Sequence, residues 1–181
     1  MVVSGVCWAN ANVDALQTFA VRADMNTSFY LWNKLTAYSA DEPITPAWNN
    51  SIDNSNTWTV NPCPMNWRLP TPSEFQQLNN TGTTWVDANV KGNAVAGRFY
   101  GYNHATCTLP GDMDGCVFFP AAGIRNYAAG EIILRSINGF YFSSMQNDVS
   151  GDAYHLYFEK AVSAPFATLG KSLAMTIRCV R

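Results

Sequence analysis

Apolar and polar positions alternate in short stretches along this chain, while long helical periodicity is scarce. Val2-Val3-Ser4-Gly5-Val6-Cys7-Trp8-Ala9 is dominated by β-branched and aromatic residues and predicts a first strand. An aromatic cluster follows at Phe29-Tyr30-Leu31-Trp32. From Asp41 to Met65 the content of Pro, Asn and Ser is too high for regular elements. Further strands are predicted at Gly97–Tyr102, at Val117–Phe119, halted by Pro120, and at Phe140–Phe142, closed by Ser143-Ser144. From Ala153 to Glu159, Tyr154, Leu156 and Phe158 share one face, and Ala153, His155 and Tyr157 the other. Met175–Val180 predicts a last strand, so both ends read as strands and Trp8 can pair near Val180.

One segment reads as helix. Thr71 is placed to cap, Pro72 occupies the first helical position, where its missing N–H costs nothing, and Glu74 stands three residues after Thr71. Phe75 and Leu78 then share a face, and Asn79-Asn80-Thr81-Gly82 stops the helix near Asn79. The expected fold class is α+β, with one early helix and long loops between short strands. A chain of 181 residues suits one domain spanning 1–181.

Charge narrows the function classes. Eleven Lys plus Arg stand against thirteen Asp plus Glu, scattered singly, and no basic block exists to neutralise a phosphate backbone, so no nucleic-acid partner is expected. No apolar run is long enough to span a bilayer, so no membrane insertion is expected. The amino terminus shows no basic region followed by a hydrophobic stretch, which predicts a processed or excised domain or another export route. Sequons at Asn26 and Asn79 matter only where the source glycosylates.

The five cysteines show no CxxC pair and no His-Cys cluster, which argues against zinc. Disulfides read better: Cys107 with Cys116 around a small loop, and Cys63 with Cys179 over a long range, leaving Cys7 odd. The competing reading is five reduced cysteines in a cytosolic protein, which the odd count favours. His104 and His155 lie in no nucleophile frame, and no GxSxG, Walker motif, GxGxxG or HExxH occurs, so an enzyme is not expected. Asp112, Asp114, Glu131, Asp148 and Asp152 are carboxylates by type only and read as turn residues. Asp112-Met113-Asp114-Gly115 has the clustered oxygens a structural calcium would want; no other cofactor is expected.

Aromatic and polar residues interleave between Arg125 and Tyr157, several beside Gly, Asn or Ser, where the chain turns and burial is difficult. Such side chains give much binding energy for little ordering cost. The candidate ligand-binding residues are Tyr127, Ala128, Ile133, Arg135, Phe140, Met145, Gln146, Asn147, His155 and Tyr157, helped by a loop from Phe166 to Leu173. Replacing Phe140, His155 and Tyr157 by Ala is expected to remove binding and leave melting nearly unchanged.

Six blocks in order carry a resemblance that runs almost end to end. They are Val6-Cys7-Trp8-Ala9 with Asn12-Val13-Asp14-Ala15; Phe29-Tyr30-Leu31-Trp32-Asn33; Asn61-Pro62-Cys63-Pro64-Met65-Asn66-Trp67-Arg68-Leu69-Pro70-Thr71; Phe119-Pro120-Ala121-Ala122-Gly123-Ile124-Arg125; Gly139-Phe140-Tyr141-Phe142-Ser143-Ser144; and Ile177-Arg178-Cys179-Val180-Arg181. The chain resembles the Fibrobacter succinogenes major paralogous domain family and the related carboxy-terminal domain of Legionella collagen-like adhesin. The resemblance implies a C-type-lectin-like fold with paired termini and a loop-built face that binds a surface protein or glycan. It also implies an extracellular, cell-surface or phage location, as in adhesin modules. Some members look like variable proteins of diversity-generating retroelements, and Tyr127, Ile133, Phe140, Met145, His155 and Tyr157 stand where relatives often carry Asn. Arg68-Leu69-Pro70-Thr71 also looks like formylglycine-generating enzymes, but their carboxy-terminal cysteine pair is missing. Asp41-Glu42-Pro43-Ile44 departs from the Glu-Pro-Asn pattern of calcium-dependent lectins. The alternative to a binding module is a structural pilus or phage decoration module without a ligand.

Overall fold

The computed structural model describes residues 1–90, 92–109 and 115–181. The predicted helix is present as α1 (Pro72–Asn80), and it forms for the reason the sequence gives. Thr71 Oγ1 accepts from the Glu74 amide at 3.2 Å, and Glu74 Oε2 accepts from the Thr71 amide at 2.8 Å. Arg68 clamps the same carboxylate from outside, at 2.6 Å. Phe75 and Leu78 are buried, and α1 packs across both of the main sheets.

Those sheets are antiparallel meanders of three strands. One comprises β5 (Thr83–Val86), β6 (Gly97–Gly101) and β7 (Cys116–Pro120); the other comprises β10 (Gly139–Gln146), β11 (Ala153–Phe158) and β12 (Ser163–Leu169). Three two-stranded hairpins complete the fold: β1 (Val2–Val3) with β2 (Val6–Cys7), β3 (Val13–Ala15) with β4 (Thr18–Phe19), and β8 (Ile124–Arg125) with β9 (Ile132–Ile133). Among the described residues the chain is therefore a mixed α+β domain of short antiparallel strands and one short helix, and no helix is long and apolar enough to cross a membrane.

The β10–β11–β12 sheet is covered on both faces. Tyr141, Leu156 and Phe158 join Trp8, Phe75, Tyr100 and Phe119 on one side, while Phe140, Phe142 and Ala153 join Tyr30, Trp32, Met175 and Ile177 on the other. Gly139 is required at the first crossing, because a Cβ there would overlap the Phe158 ring.

Three strand expectations are corrected. Val2–Ala9 is a hairpin, because Ser4 and Gly5 both adopt positive φ and turn the chain back. Phe140–Phe142 continues through Ser143-Ser144 to Gln146. Met175–Val180 is a buried thread rather than a sheet strand, since its residues pair in turn with Tyr30, Tyr141, Trp8 and Arg68.

The chain ends pair as expected. Trp8 bridges Val180, Ala9 N–H donates to Cys179 O at 2.9 Å, and the Arg68 and Val180 backbones exchange hydrogen bonds. Cys63 is bonded to Cys179 and Cys107 to Cys116, leaving Cys7 as a thiol. At the centre of this closure the Arg178 guanidinium is fully buried. It donates to Asn12 Oδ1 at 2.8 Å, Ala9 O at 2.9 Å and Phe118 O at 2.8 Å, and lies 4.6 Å from the Phe119 ring centroid. Burial lowers its pKa to about 10, so it stays charged near neutrality. Arg178→Met leaves three buried acceptors without donors, and urea denaturation should show a loss of about 3–5 kcal/mol; a loss under about 1 kcal/mol would mean that these groups find water instead.

Candidate functional site

Of the ten residues expected to bind, four lie on or beside the β8–β9 hairpin. Its turn is prebuilt: Asn126 Oδ1 accepts from the Ala128 and Ala129 amides at 3.1 Å, and Asn126 N–H donates to Glu131 O. Tyr127 is 60 % exposed, and Ala128 is exposed beside it. Ile133, paired with Ile124, is 42 % exposed. Leu134 follows, equally exposed and held at φ 61°, where a branched side chain crowds its own backbone. Arg135 is half-buried and donates to Ala40 O, so it braces a neighbouring loop as well as lining the surface.

Arg125 fixes this hairpin from below. Its fully buried guanidinium donates to Ser39 O at 2.6 Å, Glu42 Oε1 at 3.0 Å and Gly130 O, and lies 5.5 Å from the Phe29 ring centroid. Burial lowers its pKa and the Glu42 carboxylate opposes that shift. One charged group thus ties the 39–42 loop to the hairpin turn. Between them opens a cleft of about 630 Å³ lined by Ala40, Asp41, Glu42, Glu131, Ile132 and Arg135.

Three further expected residues lie where β10 runs out. Met145 is exposed and bridges Thr57. Gln146 is half-buried; its Oε1 accepts from Lys171 Nζ at 2.6 Å, and the same ammonium donates to Ser55 O. Asn147 spends its side-chain oxygen on the Val149 and Ser150 amides, which closes the β10–β11 turn.

The remaining three pack against the core, and for Phe140 and His155 this corrects the expectation of exposure. Phe140 is 6 % exposed and His155 2 %, with ring centroids 5.8 Å apart inside the core. Tyr157 is half-buried against Phe140; its hydroxyl donates to Glu159 Oε2 at 2.9 Å and accepts from Asn138 Nδ2 at 2.8 Å. Strand alternation placed His155 and Tyr157 on one face, but that face, with Phe140 beside it, packs against a second core cluster that leaves only Tyr157 partly open to water. Replacing all three by Ala would therefore unfold the sheet and could not isolate binding. Of the expected loop Phe166–Leu173, the first half, residues 166–169, is the end of β12, and only residues 170–173 form a turn.

The calcium expectation at Asp112 and Asp114 lies outside the described residues. Among the described residues no group of three or more His, Cys, Asp or Glu is placed to hold a metal. Comparison of the chain with protein-family models, with curated proteins and with solved structures returned no match in any of the three.

Sequence reasoning missed the 48–57 segment. Trp48 Nε1 and Asn50 Nδ2 donate to Tyr127 O at 3.2 and 3.0 Å, and Gln146 N–H donates to Asn56 O at 3.0 Å. Trp48 and Ile52, isolated apolar residues in a polar run, were the signal.

His155 carries a prediction of its own. Among the described residues its Nδ1 has no partner, and burial pushes its pKa from 6.5 down to about 4, partly offset by the Ala153 backbone. The folded state excludes a proton that the unfolded chain takes up below pH 6.5. The resulting stability is complete above that pH and is lost as pH falls toward 4, about 3 kcal/mol in all. Urea titrations of the protein and its His155→Leu variant should therefore converge or cross by that amount between neutral and acid pH. A difference independent of pH would mean that the imidazole is hydrated.

Proposed function

We propose that this chain is a non-catalytic recognition module with a C-type-lectin-like fold, of the Fibrobacter succinogenes major paralogous domain type. It binds a protein or glycan at an extracellular, cell or phage surface through the β8–β9 hairpin and the loops tied to it. Ile133 and Leu134 carry the reading. Two large apolar side chains stand in water, one on a strained backbone, although buried Arg125 pins the segment firmly enough to have hidden them. Strain and exposure kept together at a rigidly mounted position are characteristic of a contact surface. The paired ends, two disulfides and six blocks in order also support this reading, and the disulfides suit an oxidising compartment.

If the gene is diversified, the exposed set Tyr127, Ala128, Ile133 and Met145 tolerates rewriting, whereas Phe140 and His155 would repack the core at each change. A neighbouring near-repeat of the gene, differing at adenine positions in these codons, is the expected companion. Differences elsewhere would remove diversification from the account.

A combined glycan and protein array with the intact domain tests the central reading. Tyr127→Ala with Leu134→Asn should lower array binding at least about tenfold, as expected for contact anchors, without lowering the melting temperature, because Asn tolerates positive φ. Undiminished binding, or a large fall in melting temperature, would contradict it.

A further inference from the structure

The loops that meet on this surface differ in charge from the rest of the molecule, and the difference points to the chemistry of a partner. Segment 48–57 is hydrogen-bonded at one end to the Tyr127 carbonyl and at the other to the end of β10, where Thr57 bridges Met145. The 41–57 loop, the β8–β9 turn and the β10–β11 turn therefore form one continuous belt. Apolar side chains stand out along it: Tyr127, Ile52, Met145 and, at the β10–β11 tip, Val149, which is 98 % exposed.

Six of the chain's thirteen carboxylates fall on this belt: Asp41, Glu42, Asp53, Glu131, Asp148 and Asp152. Among the described residues the cations in, beneath or beside it are four: Arg125, buried against carbonyls and the Glu42 carboxylate; Lys171, buried against carbonyl, amide and ring partners; Arg135; and Lys34, near Asp53. Two carboxylates in excess match the net charge of -2 for the whole chain and leave the remainder of the molecule neutral. The negative charge is thus gathered where the apolar side chains are exposed.

Resting on the reading of this chain as a recognition module, we infer that the belt docks a protein whose contact surface sets Lys or Arg side chains beside apolar ones. The apolar contacts supply affinity, and the carboxylates select the partner and speed its approach. A neutral glycan would gain nothing from the excess charge. The cleft between the 39–42 loop and the hairpin offers one basic side chain a seat, with its aliphatic stem against Ile132 and its cationic head among Asp41, Glu42 and Glu131. Among the described residues neither Asp41 nor Glu131 has an ion-pair partner.

The test is an array of short synthetic peptides of balanced composition, run beside a glycan array. Bound peptides should be enriched in Lys or Arg next to Leu, Ile or Phe. Their binding should weaken about tenfold from low to high salt, and comparably in an Asp53→Asn, Glu131→Gln, Asp148→Asn triple variant. Each replacement keeps its acceptor oxygen, and the Asp14→Asn control should bind normally. Peptide binding without a basic preference, binding unaffected by the triple variant, or binding to glycans alone overturns this inference and leaves the recognition reading standing. No binding on either array overturns both.

Discussion

A guanidinium without a carboxylate among its described partners lies at the centre of the molecule, and the remaining architecture depends on how it is satisfied. Arg178 reaches back to Ala9 and Asn12 near the start of the chain and across to Phe118 in β7. Asn12 in turn donates to the Tyr141 hydroxyl, which donates to Pro120 O at 2.7 Å. A buried charge is costly unless every donor is met, so this network tolerates one arrangement of both ends, β7 and β10 and disfavours the alternatives. The Cys63–Cys179 bond and the Trp8–Val180 bridge close the chain at the same place.

The same device is used a second time, nearer the surface, with a different result. The Arg125 side chain is shielded from water like that of Arg178, but it lies at less depth and its acceptors belong to two loops instead of two ends of the core. It therefore makes a loop surface rigid without hiding it. Side chains on that surface touch few core residues, which leaves their identity free to serve contact with a partner. Lys171 does the equivalent at the far end of the belt, holding Ser55 and Gln146 beneath exposed Met145 and Val149.

Legibility followed the range of the determining interaction. The capping box of α1 is local, so Thr71, Pro72 and Glu74 disclosed it fully. Strands β6 and β7, and the pairing of Trp8 with Val180, followed from runs of aromatic and β-branched residues. β12 went unread because Ser163-Ala164-Pro165-Phe166-Ala167-Thr168-Leu169 has no clear alternation. Phe140 and His155 were misplaced for a deeper reason: alternation separates two faces of a strand but cannot say that both are covered. The hairpin residues Tyr127 and Ile133 were recognisable as exposed because turn chemistry surrounds them, whereas Arg125 and Lys171 act through carbonyls distant in sequence that no local pattern reveals.

Closure of the two ends carries the stability of the fold, while the belt contributes little to it. Native-state amide hydrogen exchange reads both at once. The amides of Ala9, Val13, Arg68 and Val180, all bonded across the closure, should exchange only by global unfolding, and those of the 127–130 and 148–151 turns orders of magnitude faster. Terminal amides that open before the turns, or turns protected to the global limit, would contradict it.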